Sequence, residues 1–510
     1  RSSSRRDATF RGGGTPVNIL LITLDQFRGD CLSSAGHPLV QTPNLDALAA
    51  AGLGLRRHYS QATPCGPGRA CLYTGTYQMN NRVVANGTPL DARFDNVAHA
   101  ARRAGYTPTL FGHTDQSIDP RQATGPDDPR LSDYEEILPG FDVGLDLRGA
   151  MSVWTDLLRE LGHEVPDDIE AALTTESERP AEHSISAFLT DQAIDWLGRR
   201  DGAPWFAHLS YLRPHPPYAA AGAWADRYDP ADVGLPIPAE PLHFLHETAL
   251  TLPVTAAPAD EANVRKLRAQ YLGMISEVDD QLGRLWAGLR ASGAWDDTFV
   301  VVTADHAEQL GDHGLIQKLG YFEESHHIVG IVRDPRHPEA HGTVLDRFTE
   351  NVDVFPTLCE AMGIDVPAQV DGLPLTPFLV GAEPPWWRDA AHWEYDWRGM
   401  LIGDDAAPWP WDRRLERQHL AVIRNNTHGY VQFGNGDWFC FDLATDPTWH
   451  TTTEDPAVVL PLAQAMLTWR SQHTERTLTD MLLERGGIGR WPPLEPAGGV
   501  SASTAPTGRA

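Results

Sequence analysis

Four short apolar runs, each ending abruptly in acid, amide or imidazole side chains, constrain this chain more than any other feature. "VNILLITL" (17–24) runs into Asp25 and Gln26, and "TPTLFG" (107–112) into His113, Thr114 and Asp115. "PWFAHLSY" (204–211) runs into "LRPHPP", and "TFVVVTA" (298–304) into Asp305 and His306. Runs this short, continuous and rich in β-branched residues suit strands covered on both faces. Helical patterns lie between them. "TPNLDALAAAG" (42–52) opens with Pro43 and Asn44 and stops at Gly52; "DNVAHAARRAG" (95–105) is similar; 264–293 is long, amphipathic and glycine-terminated. Strands alternating with helices predict an α/β fold, with a large, mainly parallel sheet sandwiched by helices. Such sheets bind ligands at the carboxyl ends of their strands. One polar cluster there would be ordinary loop chemistry; all four fall there, so they are read as one site.

Past the fourth run the pattern changes. "HLAVIRNN", "GYVQFGN" and "DWFCFDL" read as strands, followed by a helix over 457–473. This predicts a smaller C-terminal α+β domain. The expected division is a flexible tail (1–14), a catalytic α/β domain (15–395), the smaller domain (396–490) and a disordered tail (491–510). Segments 117–183, rich in Asp, Glu and Pro, and 230–262, rich in Pro and Ala, read as insertions over the rim of the site. The Trp-rich segment (Trp386, Trp387, Trp393, Trp397, Trp409, Trp411) reads as a domain or subunit interface rather than an aromatic substrate wall.

Charge narrows the partners. A net charge of -28 disfavours nucleic acid and anionic membrane, and no apolar run is long enough for a membrane span. An anionic small molecule would need its own concentrated positive charge. Lysine is scarce: Lys266 and Lys318 are the only two, which makes a lysine in a motif informative. The five cysteines (Cys31, Cys65, Cys71, Cys359, Cys440) are odd in number and show no C-x-x-C spacing, which argues against a disulfide framework. With no apolar core of a signal peptide in "RSSSRRDATFRGGG", a cytoplasmic location is expected.

Asp25, Gln26, Asp305 and His306 offer two carboxylates, an amide and an imidazole, a set suited to a divalent metal. One imidazole among oxygens favours Mn²⁺ or Zn²⁺ over Ca²⁺, and Gln26 is a neutral ligand or an orienter beside them. In "TPCGPGRACLYTG" (63–75), Gly66-Pro67-Gly68 read as a turn and "RACLYTG" as a helix closing at Gly75. Cys65 then stands at a helix N-terminus, which favours negative charge, with Arg69 four residues on to clamp an oxyanion. Thiol-phosphatase loops space their Cys and Arg more widely. Spacing alone leaves two readings of Cys65 open, a buried core thiol and a functional group.

Cys65-Gly66-Pro67-Gly68-Arg69, followed by "ACLYTG", resembles the signature of type I sulfatases, in the alkaline phosphatase superfamily. The likeness runs from about 16 to 485, through "TPNLDALA", "YLGMISEVDDQLG", "DDTFVVVTADHAEQLGDHG" and "FDLATDP". "CGPGRA", "NNRVVANGTPLD", "LSYLRPHPPY", "DHAEQLGDHGLIQKLGY" and "WRSQHTERTLTD" are similar to the phosphonate monoester hydrolases, a branch that also cleaves phosphodiesters and sulfate esters. The resemblance implies an alkaline-phosphatase-like fold and conversion of Cys65 to formylglycine by a formylglycine-generating enzyme. It implies one divalent metal, Mn²⁺ before Ca²⁺ or Zn²⁺, on Asp25, residue 65, Asp305 and His306, with Gln26 adjacent. It makes Arg69 the residue that steadies formylglycine, and Lys318 the holder of a substrate oxygen. His215 becomes the acid for the leaving group and Asn86 a substrate contact. The implied reaction is in-line attack of the hydrated aldehyde on a small anionic ester, with the covalent ester released by hemiacetal collapse. The tail after 470 resembles a segment that builds homotetramers, a dimer of dimers.

The chain also departs from these relatives. His113 and Asp115 stand where the phosphonate branch has Tyr and Thr and arylsulfatases have Lys and His. His113 is expected to donate to an oxyanion. Asp115 is expected to orient His113 or to meet a cationic part of the substrate, such as an amine on the leaving group. Ala307 replaces the glycine of the family's D-H-G-E, and His327-Ile328-Val329 its Arg-Ile-Pro. The competing functional readings are a dedicated arylsulfatase with little phosphorus activity and a silent anion-binding member that keeps Cys65 as a thiol.

Overall fold

The computed structural model describes residues 17–200, 202–398 and 418–474, with two short strands at Leu482–Leu483 and Gly489–Arg490. The expected tails, Trp409, Trp411 and the proposed tetramer segment past 474 lie outside the described residues. The apolar runs form β1 (Asn18–Leu24), β3 (Pro108–Gly112), β5 (Phe206–Tyr211) and β6 (Thr298–Thr303) of one large sheet. Its other strands are β2 (Leu53–Tyr59), β4 (Asp142–Asp146), β7 (His327–Ile328), β8 (Gly330–Arg333) and β9 (Thr343–Glu350). The order is β4-β3-β5-β1-β6-β8-β2-β7, with β9 also on β2. β3, β5, β1 and β6 pair in parallel, whereas β8 pairs antiparallel to β6 and β2, so the sheet is mixed and mainly parallel. The four polar strand ends therefore lie side by side.

Alternation along β1 explains its continuous apolar run. Ile19 and Leu21 enter one core; Leu20, Ile22 and Leu24 enter the other. Helices Ile185–Gly198 and Glu261–Ala291 cover the second face, Val97–Arg103 and Val354–Ala361 the first. Helix α1 (Pro43–Ala50) has no side-chain cap from its own N-cap, Thr42. Asp279, on the Glu261–Ala291 helix, caps it instead, accepting from Asn44 N (3.1 Å) and Leu45 N (2.7 Å).

The same helix buries Glu277, whose Oε2 accepts from Ala221 N at 3.2 Å while Oε1 has no partner. Burial, and then the neighbouring Glu176, push this carboxyl from 4.5 up to about 7, against the pull of Arg213. A carboxyl raised in the folded state contributes stability that is full below its unfolded pKa and lost as pH rises through the folded one. Melting temperatures from roughly pH 5 to 8 should therefore fall more steeply for the wild type than for Glu277→Gln, the gap widening with pH. Parallel curves would contradict this.

A second, antiparallel sheet contains β10 (Ala391–Asp396), β11 (His419–Arg424), β12 (His428–Phe433) and β13 (Trp438–Asp442). The expected boundary at 395/396 thus cuts β10. That strand also bridges to the main body, Ala62 pairing with Glu394. Trp393 and Trp397 are buried in the core beneath this sheet, as an interface reading expects, while Trp386 is exposed. The helix Pro456–Thr474 packs Leu462, Met466 and Trp469 against Tyr77, Ile423 and Tyr430. Segment 117–183 is more than a rim: it supplies edge strand β4 and the fully buried Trp154. No helix among the described residues is long and apolar enough to cross a membrane.

Candidate active site

The helix α2 (Cys65–Thr74) begins at Cys65 itself, so Gly66-Pro67-Gly68 form its first turn rather than a separate one. Proline fits there because first-turn N–H groups lack helical partners anyway. Gly68 is needed for close approach: a Cβ would sit 2.4 Å from the Asp305 carbonyl oxygen. Gly75 ends the helix at φ 67°. Together these press the start of α2 against the end of β6.

That contact assembles the expected donor set. Atoms of Asp25, Cys65, Asp305 and His306 lie within 4.8 Å of one another, all buried. His306 Nδ1 faces the Ala307 carbonyl (3.1 Å) and Nε2 the Cys65 Sγ (3.1 Å). The ring N–H thus donates to the carbonyl, and a lone pair is left toward the cluster. Asp25 Oδ1 is buried with no hydrogen-bond partner. An orphaned carboxylate oxygen, an imidazole lone pair and a second carboxylate fit a divalent cation. Burial pushes the Cys65 thiol well above its ordinary range; Lys318 opposes the shift, and Asp25, Asp305 and Asp115 add to it.

Arg69, fully buried, holds this frame. Its Nε donates to Asp305 Oδ2 (3.0 Å), its Nη2 to Asp25 Oδ2 (3.0 Å), and its Nη1 to Ser210 Oγ (2.8 Å) and the His113 carbonyl (3.2 Å). Tyr73, one helical turn on, accepts from Arg69 Nη1 (3.3 Å) and meets His208 Nε2 at 2.9 Å. Sequence reasoning missed Ser210, Tyr73 and His208. Only Tyr73 left a signal, its i+4 spacing from Arg69.

Asp115 Oδ2 lies 3.3 Å from Arg69 Nε and 3.7 Å from His113 Nε2. Its charge is answered inside the protein, so an amine on the substrate is not required to balance it. Burial raises the Asp115 carboxyl against His113 and Arg69; burial lowers His113, but Asp115 and Asp25 outweigh it and lift the imidazole. Asp25, His113 and Asp115 also converge within 4.8 Å, but the Arg69 guanidinium already bonds among them.

Lys318 Nζ reaches Gln26 Oε1 (2.7 Å) and His215 Nε2 (2.8 Å). Gln26 spends its amide on Lys318 and Glu308, while its backbone N–H donates to Asp305 Oδ1 (3.2 Å). His215 Nδ1 faces the Pro216 carbonyl at 2.8 Å. Burial, then Lys318, push His215 down to about 3; burial lowers Lys318, but the surrounding groups, Asp25 and Asp305 among them, outweigh it and raise its ammonium. With Nδ1–H given to the Pro216 carbonyl, His215 Nε2 is left to accept from Lys318 Nζ. Glu308, in "DHAE", also accepts from Leu310 N (2.9 Å) and Gln317 N (2.7 Å), which shapes the loop that carries Lys318. Asn86 is exposed, and its Oδ1 accepts from Gly66 N at 2.8 Å.

The profile of the family described as Sulfatase matches residues 17–364, spanning every strand end of this site. The chain belongs to the sulfatase family. A second profile, N-sulphoglucosamine sulphohydrolase, C-terminal, matches residues 311–458. The crystal structure of a phosphonate monoester hydrolase from Agrobacterium radiobacter superposes with a TM-score of 0.83 at 41% identity, covering 93% of this chain and 100% of that one. The phosphonate monoester hydrolase SpPMH from Silicibacter pomeroyi gives 0.79 at 34%, covering 93% and 99%. The multifunctional alkaline phosphatase superfamily protein PehA of Trinickia caryophylli is 37% identical, covering 91% of this chain and 97% of its own. Membership of the sulfatase family agrees with the mixed sheet, the small antiparallel sheet and the Cys-x-Pro-x-Arg helix start.

Proposed function

We propose that this sulfatase-family protein is a formylglycine-dependent metallohydrolase of phosphonate monoesters, phosphodiesters and sulfate monoesters. The observation that carries the reading is Cys65 at a helix start among Asp25, Asp305 and His306, with Arg69 behind it and Lys318 in front. Similarity to phosphonate monoester hydrolases supports the phosphorus substrates. A divalent cation, Mn²⁺ by preference, on Asp25, Asp305, His306 and residue 65 would supply Lewis-acid charge. Formylglycine at 65, installed by a formylglycine-generating enzyme, would supply an oxygen nucleophile where the thiol stands.

The chain's own groups do the rest. Arg69 fixes Asp25 and Asp305 in register. Lys318 brings to the site the positive charge that an anionic ester needs in a protein of net charge -28. Its ammonium, oriented by His215, is the proton source for the departing oxygen. Asn86, tied to Gly66, borders the entrance.

The test pairs the mass of the peptide holding residue 65 with turnover of an aryl sulfate, a phosphodiester and a phenylphosphonate monoester. Co-expression with the maturing enzyme should convert residue 65 and yield turnover of all three, abolished by a chelator. Full activity with an unmodified thiol would sink the mechanism; turnover of the aryl sulfate alone would sink the phosphorus assignment.

A further inference from the structure

Among the described residues, four large aromatics are markedly exposed: Tyr134 (46%), Phe244 (39%), Trp386 (65%) and Trp438 (38%). Tyr134 stands at the site. Its Cβ lies 3.7 Å from where a Cβ of Gly87 would be, and Gly87 follows Asn86, which caps Gly66. A Cβ on Gly66 would in turn meet Asn86 Oδ1 at 3.1 Å and the Asp115 carbonyl at 3.2 Å. Tyr134 thus belongs to the rim made by Asn86 and Asp115.

The backbone that carries it is fastened on both sides. Thr114 Oγ1 (3.0 Å) and Gln116 N (3.3 Å), at the end of β3, donate to the Glu136 carbonyl, and Leu138 N donates to Thr114 Oγ1 (2.8 Å). On the outer side Arg148 Nη1 holds Glu136 (3.0 Å), and Gly149 N donates to Glu135 Oε2 (2.6 Å). Tyr134 is thus half-exposed on a backbone tied through its neighbours Glu135, Glu136 and Leu138, as a contact surface requires. Burial and Glu135 raise its hydroxyl pKa, and Asp115 adds to the shift.

The side of the site matters. Lys318 pairs with His215 and is the group assigned above to the departing oxygen, whereas Tyr134 neighbours Gly87 next to Asn86. In-line displacement sends the leaving group away from the nucleophile and keeps the other substituents in place. A phosphonate monoester or phosphodiester keeps an organic substituent on phosphorus; a sulfate monoester keeps only oxygens. Resting on the hydrolase reading above, we propose that Tyr134 is a specificity residue whose ring packs on a planar or aromatic substituent retained on phosphorus.

The test compares phenylphosphonate and methylphosphonate monoesters of one common phenol leaving group, using matured, metal-loaded protein. Tyr134→Ala should lose about tenfold in kcat/KM on the phenyl substrate, mainly through KM, and under about threefold on the methyl one. Tyr134→Phe, which keeps the ring, should restore most of the phenyl preference. Equal losses on both substrates, or none on either, overturn the proposal. Calorimetric binding of the phenylphosphonate and methylphosphonate anions reads the same difference without turnover. A wild type that turns over no phosphonate ester therefore fails the hydrolase reading, while the binding ratio still decides Tyr134.

Discussion

Cys65→Ala is expected to lower kcat/KM on every ester substrate by roughly ten-thousand-fold or more, with little loss of stability. The side chain is small and buried at the first position of α2, and its Sγ meets His306 Nε2. Removing it takes away one atom of side chain, so the cavity cost is about 1 kcal/mol. It also takes away whatever nucleophile forms there, so the surrounding charges are left with nothing to position. The comparison that matters is with wild-type protein made without the maturing enzyme. If conversion of Cys65 is required, the unconverted protein and Cys65→Ala share the same low activity and near-identical melting curves. An unconverted wild type with far higher activity than Cys65→Ala would show that the thiol itself does the chemistry.

Arg69→Ala should damage both activity and stability, and this double effect separates it from Cys65→Ala. Arg69 is the cation bonded directly to Asp25, Asp115 and Asp305, all buried. Leaving buried charges uncompensated costs about 3–5 kcal/mol. Activity should fall about a thousandfold, because Asp25 and Asp305 lose the fork that spaces them. Arg69→Lys should rescue little of either, since one ammonium nitrogen cannot stand at the three places from which Nε, Nη1 and Nη2 reach Asp305, Ser210 and Asp25. Urea denaturation and steady-state kinetics on the same preparations check both arms. A stability loss with activity intact would make Arg69 a structural residue only.

Legibility in the sequence followed the range of the physics. β1, β3, β5 and β6 were readable because burial on both faces leaves a continuous apolar run, and the polar residues after each run were already suspect. β2 and β10 were not. β2 reads "LGLRRHY", where two arginines break the apolar pattern, and β10 lies inside a Trp-rich stretch read as a domain or subunit interface. His113 and Asp115 looked anomalous because their partner was invisible: Arg69 is 44 residues from His113 along the chain yet bonds it directly. Tyr134 carried no signal in a segment rich in acids and prolines.

The α/β class, the polar strand ends, and Cys65 near a helix N-terminus with Arg69 four residues on could be read from the residues alone. Those properties are local: they depend on side-chain periodicity over one strand or helix. The adjacent order of β3, β5, β1 and β6 came only with the assembled sheet. The folded arrangement also sets Arg69 against Asp115, Lys318 against His215, and Tyr134 beside Gly87. Each of these depends on which distant groups share a low-dielectric interior, where desolvation and pairing are set by packing rather than by neighbours in sequence.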